Sequence, residues 1–308
     1  MEKMIKLWHH ICMIKNNKKH TVGDTLEEGR NILKNARIDT FDIDCRVLLS
    51  YVSGMKHYEL ISKPKTEIPQ KLYNHYMRLI KRRSKFEPIA QITKEKEFWS
   101  LPFKVSKGTL IPRPDSETLI EAVKSEFKDT EKCYRILDMG TGSGCLLLSL
   151  LSEYKNAIGF GIDVKCNALK TAKENSKKLG LHPRARIIKL NWKSKKPTTK
   201  FGPEKFHIII SNPPYIRASE MKTLDPDVQK YEPRKALYGG RDGLDEYRQI
   251  SKALYYWDIL DDEGKLFLEF GKGQQEDVKK IFEAFGFKFK KYFTDLGGIT
   301  RVIELSKK

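Results

Sequence analysis

The chain has no apolar run near the roughly 20 residues a membrane-crossing helix needs, so no helical span is expected. Cysteine is scarce: Cys12, Cys45, Cys133, Cys145 and Cys166 are scattered, with no CxxC pair. That spacing excludes a disulfide framework and a zinc knuckle. The seven histidines form neither HExxH nor HxxxH, and no metal is expected. Internal repeats and low-complexity tracts are missing too. The opening "MEKMIKLWHHICMIKNNKKH" lacks the continuous apolar core and small-residue cleavage site of a signal peptide. Residues 1–23 therefore read as a leader, with Met13 as an alternative start, and the protein as cytoplasmic.

Acidic charge is in deficit. Lys and Arg number 59 against 40 Asp and Glu, a net charge of +19 over 308 residues. Residues 1–86 hold 18 basic and 9 acidic side chains, so the excess is densest at the front. Such a balance fits either a solvated lysine surface or proximity to RNA or the ribosome. Lys193, Lys195 and Lys196 form one local run that could steer an acidic partner.

Two textures divide the chain. Residues 24–86 read as a small helical bundle: "DTLEEGRNILKNARI" offers Asp24 or Thr25 as an N-cap, and "IPQKLYNHYMRLIKRRSKF" places Pro69 at a helix start. Residues 87–112 include the alternating "EFWSLPFKV", expected as a hairpin or linker. From residue 113 the main part of the chain follows, and "LIPRPDSETLI" starts a helix. Strands are expected at 134–139, 157–163, 185–190, 206–211, 264–270, 286–293 and 299–305. Helices are expected at 144–154, 165–179, 242–259 and 273–285. This alternation predicts an α/β fold with a doubly wound, mainly parallel seven-stranded sheet, closed by an antiparallel hairpin at one edge.

The first of these strands runs into "ILDMGTGSG". Gly140, Thr141, Gly142, Ser143 and Gly144 lie between strand and helix, where open α/β sheets bind ligands. The second strand ends in Asp163, placed to accept two hydrogen bonds from ribose hydroxyls. A strand-end carboxylate capping the next helix is the competing reading. The glycine spacing is G-x-G-x-G rather than the dinucleotide G-x-G-x-x-G, which favours a nucleoside without phosphates, such as S-adenosyl-L-methionine. Trp192, after the third strand, either flanks the adenine or simply packs.

The fourth strand ends in "SNPPY", residues 211–215. Pro213 and Pro214 have no N–H and fixed φ. The Asn212 side-chain oxygen and the Pro213 carbonyl can therefore form a rigid pair of acceptors for a planar NH₂ group. Tyr215 can wall that plane. Asn212, Pro213 and Tyr215 are the expected catalytic residues, with Pro214 completing the substrate site. Alignment of such a nitrogen for in-line methyl transfer is the main catalytic resource.

"GTGSG", "GID" and "NPPY" together resemble the Rossmann-like class I methyltransferases acting on amino nitrogens. "EFWSLPFKVSKGTLIPRPDSETLIE", "EPIAQIT", "YEPRKAL" and "FLEFGKGQ" resemble the HemK/PrmC family, the N5-glutamine methyltransferases of peptide chain release factors. The resemblance implies a helical N-terminal domain joined by a hairpin to a catalytic domain. It also implies a monomer acting on the glutamine of a Gly-Gly-Gln motif, with S-adenosyl-L-methionine bound by residues 140–144, Asp163, Trp192 and Asn212. Arg113 and Glu117 would lie at the mouth of the site, or else shape the linker. Two positions depart from the family pattern: Lys94 stands where glycine is usual, and Asn191 where aspartate is usual before Trp192.

NPPY is shared with nucleic-acid enzymes, so an N6-adenine or N2-guanine RNA methyltransferase is the rival enzyme. A catalytically silent docking module is the rival outside catalysis.

Overall fold

The computed structural model describes residues 19–194 and 198–308, and divides into two compact units between Thr93 and Lys94. Most of the expected leader, with His9, His10, Cys12 and Met13, lies outside the described residues, as do Lys195 and Lys196. The end of that leader is corrected: His20–Thr21 is a two-residue strand, β1, paired with β2 at Glu67–Ile68. The first helix begins at Val22, and its cap is Thr21, whose hydroxyl accepts the Asp24 N–H at 3.2 Å, rather than Asp24 or Thr25.

Among the described residues of the first unit five helices pack together: α1 Val22–Asn35, α2 Phe41–Ser53, α3 His57–Ser62, α4 Gln70–Arg83 and α5 Ile89–Thr93. Leu33, Leu48, Tyr76 and Ile80 form its centre. Gly29 is required there, because a Cβ would stand 2.1 Å from the Tyr76 hydroxyl. Arg83, in the last turn of α4, is buried and donates to Asp44 at 2.7 Å. The pairing neutralises a charge that burial alone would make costly.

The second unit starts with the expected hairpin, β3 Glu95–Phe98 and β4 Leu101–Lys104. Its two-residue turn puts Trp99 and Ser100 at φ 51° and 55°, the left-handed pair that a tight hairpin turn demands. Lys94, the departure from glycine, sits at φ 62°, and its carbonyl accepts the Val105 N–H at 3.0 Å. Residues 87–112 are thus no single linker, because α5 belongs to the helical unit and the hairpin to the second.

Helix α6, Glu117–Glu126, precedes the sheet strands β5 Arg135–Met139, β6 Ile158–Asp163, β7 Ala185–Lys189, β8 Phe206–Ser211, β9 Leu260–Glu269, β10 Phe287–Thr294 and β11 Thr300–Lys307. Their order is β10-β11-β9-β8-β5-β6-β7. Strands β5 to β9 run parallel, and β11 is antiparallel to both neighbours. The closing hairpin therefore inserts its second strand between β9 and β10. Strand β9 begins at Leu260, four residues before the expected start, on a bulged pairing with β8. Helices α7 Cys145–Glu153, α8 Cys166–Lys178, α9 Thr198–Phe201, α10 Pro226–Tyr231, α11 Asp245–Trp257 and α12 Gln275–Ala284 complete the unit.

Both faces of the sheet are buried. Ile208 and Ile210 join Leu147, Leu150 and Ile120 on one side, whereas Ile209 joins Tyr247, Leu254 and Trp257 on the other. The chain leaves β5 toward β6 and later returns on its other side as β8. That reversal opens a crevice at the carboxyl ends of the strands.

Replacing Lys94 with glycine should remove the left-handed strain and raise stability by about 0.5–1 kcal/mol. Thermal unfolding of Lys94→Gly beside the parent checks this; an unchanged or lower midpoint contradicts it.

Candidate active site

The crevice is a cavity of about 790 Å³ within the second unit. The turn after β5 forms its floor. Gly140 has φ 87°, and both its N–H and that of Thr141 donate to the Ile162 carbonyl at 2.9 Å, tying the turn to β6. The Trp192 ring lies 3.6 Å from where a Gly140 Cβ would project, so floor and wall are in contact. Gly144 does not line the cavity. A Cβ there would meet Leu148 at 3.1 Å and Ala172 at 3.3 Å, so its absence lets α7 and α8 close together.

Asp163 lines the cavity at the end of β6. Its carboxylate accepts the Gly142 N–H at 3.1 Å and the Lys165 N–H at 2.8 Å, so the helix-capping contact is present. Two oxygens offer about four acceptor positions, and these bonds use two. Burial lifts the Asp163 pKa above its ordinary value, against the pull of those donors.

Trp192 is held by its indole N–H, which donates to Glu246 at 2.9 Å, and Lys193 also reaches Glu246, at 3.1 Å. Lys193 is thereby paired rather than free to steer a partner. Asn191 lines the cavity with its side-chain oxygen turned to the Lys193 N–H at 2.9 Å.

At the end of β8, the Ser211 hydroxyl donates to the Met139 carbonyl at 2.6 Å, joining the tips of β8 and β5. Asn212, Pro213 and Pro214 follow, all lining the cavity. The Asn212 Nδ2 donates to the Ser116 hydroxyl at 3.1 Å. Among the described residues, no group donates to Asn212 Oδ1 or to the Pro213 carbonyl. Tyr215 does not line the cavity: it packs on Gly271, where a Cβ would lie 3.0 Å from its ring, and its carbonyl accepts Gln274 Nε2 at 3.1 Å.

Arg113 lines the mouth and pairs with the buried Glu232, whose other oxygen accepts the Ile111 N–H at 3.1 Å. Glu117 does not reach the cavity. Its carboxylate accepts the Trp99 N–H at 2.7 Å and braces the hairpin turn, the linker-shaping role. Among the described residues, no cluster of three or more His, Cys, Asp or Glu side chains is arranged for a metal, and no helix is long and apolar enough to cross a membrane.

Residues 24–93 match the family model described as PrmC N-terminal domain, and residues 130–238 match one described as Methyltransferase domain. The release factor glutamine methyltransferase of Agrobacterium fabrum is 37% identical over 286 residues, 92% of this chain and 96% of that protein. Its counterpart from Caulobacter vibrioides is 35% identical over 275 residues, 89% of this chain and 92% of that one. This chain belongs to the release factor glutamine methyltransferase family. Among solved structures, the hMettl16 catalytic domain in complex with MAT2A 3′UTR hairpin 6 covers 68% of this chain and 76% of its own at a TM-score of 0.52 and 15% identity, a likeness of fold alone. The protein is an S-adenosylmethionine-dependent methyltransferase with a class I catalytic unit and a helical N-terminal unit.

Several residues of this methyltransferase escaped sequence reasoning. Ser116, Glu232 and Glu269 lie inside the quoted IPRPDSE, YEPRKAL and FLEFGKGQ stretches, yet nothing local assigns them a contact. Glu246 had no signal at all, because its bond to Trp192 spans 54 positions. Asn175 is fully buried and bridges hairpin to glycine loop: its Nδ2 donates to the Lys104 and Ser143 carbonyls, and its Oδ1 accepts the Lys104 N–H.

Asp138, on β5 beneath the glycine turn, is 1% exposed, and among the described residues neither carboxylate oxygen has a hydrogen-bond partner. Burial raises its pKa to about 7 despite the nearby Thr141 hydroxyl. The native state thus holds a proton that the unfolded chain releases near pH 4. Stability from this group is full below that pH and lost as pH rises through about 7. Asp138→Asn should therefore shrink the fall in melting temperature between pH 5 and pH 8; a slope identical to the parent's contradicts the burial effect.

Proposed function

We propose that this protein methylates the side-chain amide nitrogen of the glutamine in the Gly-Gly-Gln motif of peptide chain release factors, using S-adenosyl-L-methionine. Family membership supports the reaction class. The single observation that carries the amide assignment is the state of Asn212. Its NH₂ end is engaged by Ser116, leaving Oδ1 and the Pro213 carbonyl beside the cavity as acceptors.

The residues present fit the cofactor. Gly140 and Gly142 adopt positive φ, which brings bare backbone to the cavity floor. Asp163 retains acceptor positions for a ribose, and Trp192 offers a ring pinned by Glu246. Bound S-adenosylmethionine would supply an electrophilic methyl group on a sulfonium. Asn212 Oδ1 and the Pro213 carbonyl would each accept one hydrogen of the glutamine NH₂, fixing its plane and aiming the nitrogen lone pair. An amide nitrogen is a weak nucleophile, so alignment carries the rate. Neither oxygen is basic enough to keep a proton, and the proton lost after transfer leaves through the open cavity mouth. Tyr215 would act from behind, holding the loop against Gly271 rather than facing the amide plane. Arg113, anchored by Glu232, would line the entry path of the polypeptide.

Mass spectrometry of a purified release factor after incubation with enzyme and S-adenosylmethionine tests the reading. Exchange of one hydrogen for methyl on the Gly-Gly-Gln glutamine is expected; an unmodified factor beside methylated RNA would replace it with the nucleic-acid reading. Asn212→Ala should lower turnover about 100-fold or more while cofactor affinity stays within a few-fold. Asp163→Ala should instead weaken cofactor binding about tenfold, read by calorimetry, and an unchanged dissociation constant would remove the ribose role.

A further inference from the structure

Strand β9 ends on a carboxylate that the reaction above does not use. Glu269 is 2% exposed, and among the described residues its Oε2 has no hydrogen-bond partner. Ser211 of β8 pairs with Leu268 of β9, so Glu269 stands at the strand tips beside Asn212, whose Nδ2 donates to the Ser116 hydroxyl at 3.1 Å. A carboxylate can only accept, whereas an asparagine side chain can present either end. Ser116 spends an acceptor position on Asn212, so its own hydrogen is left for Glu269.

We propose that Glu269 is a positioning residue: acting through Ser116 and Asn212 Nδ2, its carboxylate dictates that the oxygen end of Asn212 faces the cavity. This rests on the reading that Asn212 grips an amide NH₂. A neutral Glu269 offers a donor, which lets Asn212 turn its oxygen inward and present NH₂ to the cavity. An NH₂ facing an NH₂ cannot bind it.

The charge state of Glu269 is therefore a condition for catalysis. Burial raises its pKa to about 7, restrained by Ser116, Arg301 and Asn212 and pushed further by Asp115. Arg301 on β11 and Asp115 beside Ser116 are paired at 2.8 Å, and Arg301 also holds Asp295 at 2.7 Å. The other ionisable groups facing Glu269 are Tyr215, Tyr247 on α11 and Cys145 on α7. Burial lifts the pKa of all three, that of Cys145 to about 12. Near neutrality these three keep one charge state while Glu269 changes its own.

The Asn212 side-chain NH₂ resonances of the ¹⁵N-labelled full chain, assigned by their loss in Asn212→Asp, report the switch without any substrate. They should titrate with a midpoint near 7, and this titration should vanish in Glu269→Gln while the rest of the spectrum is kept. With a release factor as acceptor, Glu269→Gln should lower kcat about 100-fold, leave cofactor affinity within a few-fold and abolish the acid limb of the pH–rate profile. Glu269→Asp should restore part of the rate. Should Glu269→Gln not fold, Ser116→Ala should shift the same resonances and lower kcat about tenfold. Asn212 signals that ignore pH in the parent, or that still titrate in Glu269→Gln, overturn the proposal. So does an unchanged kcat in both variants. An unmethylated release factor with a normal Asn212 titration would sink the substrate assignment alone.

Discussion

A peptide chain that leaves a buried strand must do something with its next few hydrogen-bonding groups. At the end of β8 it discards the donors. Pro213 and Pro214 contribute carbonyls and no N–H, and Ser116 takes up the donor end of the Asn212 carboxamide. In the proposed reading, this loop offers the crevice acceptors alone, which would select a group with two hydrogens in one plane. The remaining elements would then serve to hold that pair of oxygens beside a bound methyl donor.

The holding is done by long-range polar bonds into strand ends. Ser211 ties β8 to the carbonyl of Met139, and the glycine turn is bound to Ile162 of β6 by two N–H groups. Asn175 fastens the same turn to the hairpin strand β4. Glu117 and Glu153 in turn fix Trp99 of that hairpin. The hairpin is thus part of the scaffold of the glycine turn. Glu246 on α11 and Glu232 after α10 play the same role for Trp192 and Arg113. Glu117, Glu153, Glu246 and Glu232 each orient a donor that local backbone geometry leaves free.

Much of this was readable in the linear chain where a residue's own chemistry limits its conformation. Gly140, Gly142 and Gly144 all adopt positive φ, as glycines between strand and helix would. Lys94 adopts it too, so a residue with a side chain bears the strain of a left-handed backbone. Burial was less legible. Arg83 stands at a helix end, yet it is buried against Asp44, 39 positions away. Tyr215 looked like an aromatic wall, yet Gly271 offers it a flat seat outside the cavity.

Local rules decided which segments become strands and helices, where the glycine turn lies, and that β8 runs into prolines without N–H donors. These follow from alternation, helical spacing and the missing N–H of proline, none of which depends on distant residues. Only the tertiary structure decided that β11 enters between β9 and β10, that Glu117 braces a turn, and that Glu269 lies under Asn212. Each of those depends on pairings across tens to hundreds of residues. Such contacts form because burying the sheet's two faces brings remote strand ends to one edge, and no neighbouring residue encodes which ends will meet.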